Sequence, residues 1–147
     1  MTTDEKHFVE NMGRLMVGWG LPRTTGRVYA YLLLRPEPVT LDHIAKDLAV
    51  AKSGASVATR QLVGFGMART HGESGSRRLR YDAIYDLQGL LAAREQQTQQ
   101  FIEHLHDGSR VAAHAAVRRK MAGMTSAIED VVASVTALSR RGKEAKR

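Results

Sequence analysis

The chain of 147 residues contains no cysteine. That excludes disulfide staples and thiolate-ligated metal centres, and it suits a reducing compartment. Long apolar runs are missing as well, so no segment reads as a bilayer-spanning helix. The opening residues, MTTDEKHFVENMG, have neither the basic flank nor the apolar run of a secretory leader. The expectation is a cytoplasmic protein without a membrane partner. Enzyme signatures are also absent: there is no His-Glu-x-x-His, no phosphate loop and no nucleophile motif. His104, His106 and His114 fall near one helix junction, but 104 and 106 point to different helix faces, so a shared metal would need an irregular joint. A protein that is not an enzyme, with no metal and no cofactor, is expected. Proline occurs three times, at 22, 36 and 38, and each marks a boundary.

What the chain does have is positive charge, and it is unevenly placed. The formal net charge is +7. Residues 51–81 hold Lys52, Arg60, Arg69, Arg77, Arg78 and Arg80 against Glu73, a net of +5, and the terminal SRRGKEAKR adds +4. The rest of the chain is slightly acidic. A basic patch on a folded surface favours a polyanion.

Apolar spacing predicts the order of elements. Phe8, Met12, Leu15, Met16 and Trp19 predict a helix over 4–19, ended by Gly20 and Pro22. A second helix runs from 24 to 34, and Val39-Thr40 is a short extended piece. A third helix spans 41–48 with Thr40 as its N-cap. A fourth, about 52–65, is KSGASVATRQLVGF. Met67–His71 and Arg78–Ala83 predict two strands around a GESGS turn, with Leu79 packed inward and Arg78 and Arg80 outward. A helix beyond Tyr85 carries Ile84, Leu87, Leu91, Thr98, Phe101 and Leu105 at near-heptad spacing. Asp107-Gly108-Ser109 breaks it. The last helix places Val117, Met121, Met124, Ile128, Val131, Val135 and Leu138 on a coiled-coil seam.

This order predicts a mainly α fold with a small two- or three-stranded β-wing: a winged helix-turn-helix with N- and C-terminal dimerisation helices. The expected divisions are residues 1–20 (dimerisation helix), 21–85 (DNA-binding domain), 86–139 (C-terminal dimerisation helices) and 140–147 (a disordered basic tail). The long helices cannot bury their apolar stripes on so small a core, which predicts a homodimer.

The fourth helix is notable for how little it carries. With Ala55, Ala58, Leu62 and Phe65 buried, its opposite face presents Arg60, Ser53, Ser56, Gly64 and Val57, with Thr59 and Gln61 on the flanks. A helix that enters a major groove needs small residues so that its backbone can approach base edges. The predicted contacts to double-stranded DNA are Lys52, Ser53, Ser56, Val57, Arg60, Gln61, Arg77, Arg78 and Arg80, with Arg60 at the centre of the reading face. The alternative is a winged-helix protein-interaction module without specific DNA binding.

Residues 8–34, FVENMGRLMVGWGLPRTTGRVYAYLLL, resemble the opening of the GbsR-type branch of the MarR-like transcriptional regulators. The resemblance lies in the Trp19–Arg23 junction and the Gly26-Arg27 pair, and it extends through TLDHIAKDLAVAKSGASVATRQLVGFGMA, covering about residues 5–82. It implies a dimeric operator-binding regulator, a repressor, in a family whose members sometimes respond to small molecules. Ala51 stands where the family has a serine cap, and Ser53 is the alternative cap, two residues later. For an aromatic or amphipathic effector, Met12, Met16, Trp19, Tyr29, Tyr31 and Tyr85 are the candidate pocket, since an apolar cavity with a few polar groups is the usual small-molecule site; the alternative is that they form the core joining the reading head to the dimerisation helices.

Overall fold

The computed structural model describes residues 1–146, side chains at 87 and 88 excepted. Leu87, one of the expected stripe residues, and Arg147 of the tail therefore lie outside the described side chains. The chain divides into two units, Met1–Asp86 and Leu87 onward.

The first unit begins with α1 (Thr3–Val17). A capping box starts it: the Glu5 N–H donates to Thr2 Oγ1 at 3.1 Å, and the Thr2 N–H donates to Glu5 Oε2 at 2.8 Å. It ends two residues earlier than the apolar spacing predicts. Gly20 takes φ +86°, the Leu21 N–H donates to Met16 O at 3.1 Å and the Gly20 N–H to Val17 O at 3.0 Å. This is a Schellman ending, which turns the chain sharply at the only residue type without a left-handed penalty. Trp19 therefore sits in the turn.

The buried line of α1 is Val9, Gly13 and Met16 rather than the row of large apolar residues. Two glycines explain this. Helix α2 (Arg23–Leu33) crosses α1 at Gly26, where an added Cβ would lie 3.0 Å from the Cα of Gly13. Backbone thus meets backbone, and Phe8, Leu15 and Trp19 are turned outward. Glu10 fastens the crossing by accepting hydrogen bonds from Arg23 and from Arg27 Nε, the latter at 2.7 Å. Burial raises the Glu10 pKa, but the hydrogen bonds from the two arginines outweigh it and hold the carboxyl below its ordinary value. Arg27 also donates to the carbonyl of Leu48 at 3.1 Å, so one side chain links α1 to the end of α3.

After β1 (Val39–Thr40) comes α3 (Leu41–Leu48), capped by the Thr40 hydroxyl as expected. The turn that follows puts Ala49 at φ 53° and ψ 45°, in the left-handed region. A Cβ there costs roughly 1–2 kcal/mol. Ala49→Gly is therefore expected to stabilise the protein by about 0.5–1 kcal/mol, after allowing for glycine's greater unfolded-state freedom. Thermal melts check it; an unchanged or lower midpoint would show that the turn carries no such strain.

Helix α4 (Lys52–Gly64) starts at Lys52 with Ala51 as its N-cap and no side-chain cap. Ser53 does not take over that role, because the Schellman turn ending α3 already sets the entry of the chain: the Val50 N–H donates to Ala45 O at 3.0 Å. Strands β2 (Ala68–Gly72) and β3 (Leu79–Ala83) pair antiparallel, and β1 adds to β3, giving the order β1-β3-β2. Tyr81 and Ala83 point into the core, which also holds Val28, Tyr31, Leu32, Ile44 and Leu62. Leu79, expected inside, is 45% exposed. It shares Tyr81's side of the strand, but it pairs with Gly72 at the far end of the hairpin, where no helix lies beneath it.

The second unit is α5 (Leu87–Val111) followed by α6 (Ala115–Ala145). The expected break at 107–109 is continuous helix, and the break falls at 112–114 instead. Gly108 serves close packing: a Cβ there would stand 3.2 Å from Met121 Sδ. Helix α6 also runs through 140–145, the segment expected to be a disordered tail. Its basic side chains suit the negative end of a helix dipole, which favours continuation of the helix. Among the described residues, Ile102 and Thr125 are the buried side chains of this unit. Phe101, from the expected stripe, is exposed, and Ile102 beside it takes the inner position.

Candidate nucleic-acid interface

Helix α4 owes its placement to α2 and α3. Ala55, Ala58, Thr59 and Leu62 form its buried side. Thr59, expected on a flank, is inside, and its hydroxyl donates to the Ser56 carbonyl at 3.0 Å. Phe65 follows the last helical turn as the C-cap and is only half-buried. With Thr59 added to the buried set and Phe65 removed, the centre of the exposed face rotates by about 30°, at 100° per residue. It falls between Val57 and Arg60, on the line of Ser53 and Gly64. Arg60 is thus on one side of this exposed face rather than at its centre.

The cations around this face differ in their engagements. Lys52 pairs with Asp42 at 2.8 Å. Its hydrogen bond and charge hold the Asp42 carboxyl below the ordinary value. Both side chains are well exposed, so the pair is weak and a phosphate can displace Asp42. Arg60 Nε donates to the Ser56 carbonyl at 3.4 Å, a long bond that leaves its terminal nitrogens directed outward for a base or phosphate. On the wing, Arg80 pairs with Glu73. Arg69 and His71 face Asp82 on the same side of the hairpin, at 3.4 and 3.6 Å. Arg77 and Arg78 are exposed, in the loop leading into β3. Among the described residues neither forms an ion pair.

Gln61 departs from expectation. Its side-chain oxygen accepts a hydrogen bond from the Thr25 hydroxyl, so it ties α4 to the start of α2 instead of projecting freely. That contact helps form a groove lined by Pro22, Thr24, Thr25, Ser53, Gly54, Val57, Ala58 and Gln61. Pro22 and Thr24 were not legible as neighbours of α4. They lie some thirty positions before α4, and only the packing of α2 on α4 brings them there.

The six residues expected to line an effector pocket differ widely in exposure. Met16, Tyr29 and Tyr31 are buried in the core of the first unit. The polar tips of both tyrosines are used: Tyr29 donates to the Ile84 carbonyl at 3.0 Å and Tyr31 to Asp47 at 2.7 Å. Burial raises the pKa of each phenol. Arg35 stacks over the Tyr31 ring at 4.9 Å. Trp19 and Tyr85, by contrast, are 65% and 74% exposed, and Met12 is half-buried. Tyr29 and Tyr31, two residues apart on α2, point to different sides of that helix.

No cluster of three or more potential metal ligands occurs among the described residues. His104 and His106 are exposed on α5, and His114 is the N-cap of α6. No described helix is long and apolar enough to cross a membrane.

The described residues form six helices with a three-stranded antiparallel wing, a winged helix-turn-helix. A solved structure described as a transcriptional regulator superposes with a TM-score of 0.69 at 24% identity, over 91% of this chain and 99% of that one. No family model matches the chain. In sequence it is 28% identical over 82 residues to the HTH-type transcriptional repressor OpcR of Bacillus subtilis (strain 168), a match covering 56% of this chain and 44% of that protein. The putative HTH-type transcriptional regulator YvaV of the same organism is 28% identical over 82 residues, covering 56% of this chain and 46% of its own length. The matched region thus spans about half the length of these curated relatives.

Proposed function

We propose that this protein is a homodimeric transcriptional regulator, a repressor, that binds operator DNA through α4 and the wing. We place it in the GbsR-type branch of the MarR-like regulators on the Trp19–Arg23 junction and the Gly26-Arg27 pair. The observation that carries the DNA reading is the exposed face of α4. Ser53 and Gly64 keep it low, Arg60 and Lys52 flank it, and no acidic residue occurs between 43 and 72 except Asp47, whose carboxylate accepts from the buried Tyr31. Low relief and positive charge are what close approach to a major groove requires. The likeness to OpcR and YvaV, whose descriptions name them as helix-turn-helix regulators, supports the reading.

The dimer rests on apolar surface. On α6, Val131 and Leu138 are 62% and 63% exposed. Between α5 and α6 lies a groove of about 740 Å³ lined by Leu91, Phe101, Ile128, Val131 and Val135 among others. Helix α1 adds its outward row of Phe8, Leu15 and Trp19. Exposed apolar surface of this kind, in each unit by itself, marks an interaction site.

Titration of random-sequence duplex over a range of salt tests the function. Phosphate contacts release counterions, so affinity must fall steeply as salt rises. Salt-independent binding, or none, favours the protein-interaction alternative. Arg60 and the wing should separate in this assay. Arg60→Ala is expected to cost about 1–3 kcal/mol on a selected operator and to relax preference at one base position. Arg78→Ala and Arg80→Ala should weaken operator and random DNA alike, lowering the salt slope by about 1 each. An Arg60→Ala variant with unchanged base preference would remove Arg60 from the reading face.

A further inference from the structure

Val57 is an aliphatic side chain 45% exposed on the outer face of α4, across the centre of that face from Arg60. Valine is a poor helix former, so helix stability does not account for it. Core packing does not either, because Ala55, Ala58, Thr59 and Leu62 supply the buried side. Its surroundings are unusual in the same direction. Gly54, one turn earlier, has open space where a Cβ would stand, with nothing within 4 Å. A glycine there costs about 1 kcal/mol of helix stability relative to alanine, and no contact inside the protein demands it. Gly64, two turns later, likewise leaves the outer face without a side chain. On one flank Val57 borders the groove to which Pro22, Thr24 and Ala58 contribute. The outer face therefore carries one branched apolar group above a lowered surface, with Arg60 one turn away; the helix's other exposed valine, Val63, lies about 90° round from the centre of that face.

We propose that α4 reads a thymine through its 5-methyl group, with Val57 as the contacting residue. The proposal rests on the DNA-binding reading and adds a base to it. In the major groove, thymine is the base that offers an apolar group, and apolar side chains recognise it by contact. A protein partner would fit an apolar patch as well, but on this face Val57 is a single side chain, on a helix that also carries Lys52 and Arg60 in a unit whose wing adds Arg77, Arg78 and Arg80. That charge matches the phosphate walls of a groove on either side of a base edge. Gly54 lets the helix settle deeply enough for the two methyl-bearing groups to touch.

The test uses the full chain and an operator selected from random duplex. Each thymine is replaced in turn by uracil, which pairs identically but lacks the methyl group. Wild-type protein is expected to lose affinity about fourfold at one position per half-site, the value of one buried methyl. Val57→Ala, an exposed change to a better helix former, should bind the thymine operator more weakly and show no further loss with uracil. The proposal is overturned if no uracil position weakens wild-type binding, or if the uracil penalty persists in Val57→Ala. If the chain selects no sequence and its binding ignores salt, the DNA-binding reading itself fails, and the proposal with it. Successful selection with indifference to uracil removes only the role of Val57.

Discussion

A chain carrying Ile128→Glu and Val135→Glu is expected to be monomeric and to lose specific operator binding, by about a thousandfold or more, the usual margin between specific and non-specific affinity. Both residues line the groove between α5 and α6 and are half-buried within one chain. Placing carboxylates there leaves the helices of one chain able to form, since glutamate is a good helix former. It makes a second copy unable to cover the groove without burying unpaired charge. The DNA effect follows from geometry. Two recognition helices must reach successive major grooves about 34 Å apart, and only a dimer holds two heads at that spacing. Sedimentation equilibrium and operator titration measure the two parts separately. A wild-type chain that is monomeric at micromolar concentration would overturn the dimer. A monomeric double variant with full operator affinity would show that dimerisation does not position the heads.

The second large effect is expected at the α1–α2 crossing. Gly26→Val places a branched side chain where even a Cβ would stand 3.0 Å from the Gly13 Cα, 3.1 Å from the Met12 carbonyl oxygen and 3.1 Å from the Met16 Cβ. Two of those atoms are backbone and cannot rotate away. The helices must separate, at a cost of about 3 kcal/mol or more, the upper end for overpacked sites. Separation also breaks the Arg27 bridge from Glu10 to the Leu48 carbonyl, so the turn before α4 loses a fastening. Urea unfolding gives the magnitude, and operator binding should fall even at temperatures where the variant remains folded. Gly54→Ala is the contrasting change, because its Cβ meets nothing and the helix should gain stability. A Gly26→Val chain as stable as wild type would mean the two helices are not in backbone contact.

Local chemistry determined much of this protein without reference to its tertiary structure. The Thr40 cap, the Gly20 ending and the prolines at 22, 36 and 38 act on their immediate neighbours, so the helices and the wing could be read from sequence to within a few residues. The winged helix-turn-helix followed from their order, and the sparse outer face of α4 followed from helical spacing. What the sequence left undecided depends on residues that are distant in the chain. Gly13 and Gly26 bear no side chain, so apolar periodicity overlooks them, yet they decide which face of α1 is buried. Gly108 reads as a helix breaker until Met121 of the next helix is packed beside it. Leu79 has the alternation of a core residue, but only the position of the hairpin shows that nothing lies beneath it. Gln61 has the spacing of a DNA contact and is drawn to Thr25, thirty-six residues earlier. Periodicity reports which side of an element is apolar; how deeply that side is buried, and by what, is settled only when the elements meet.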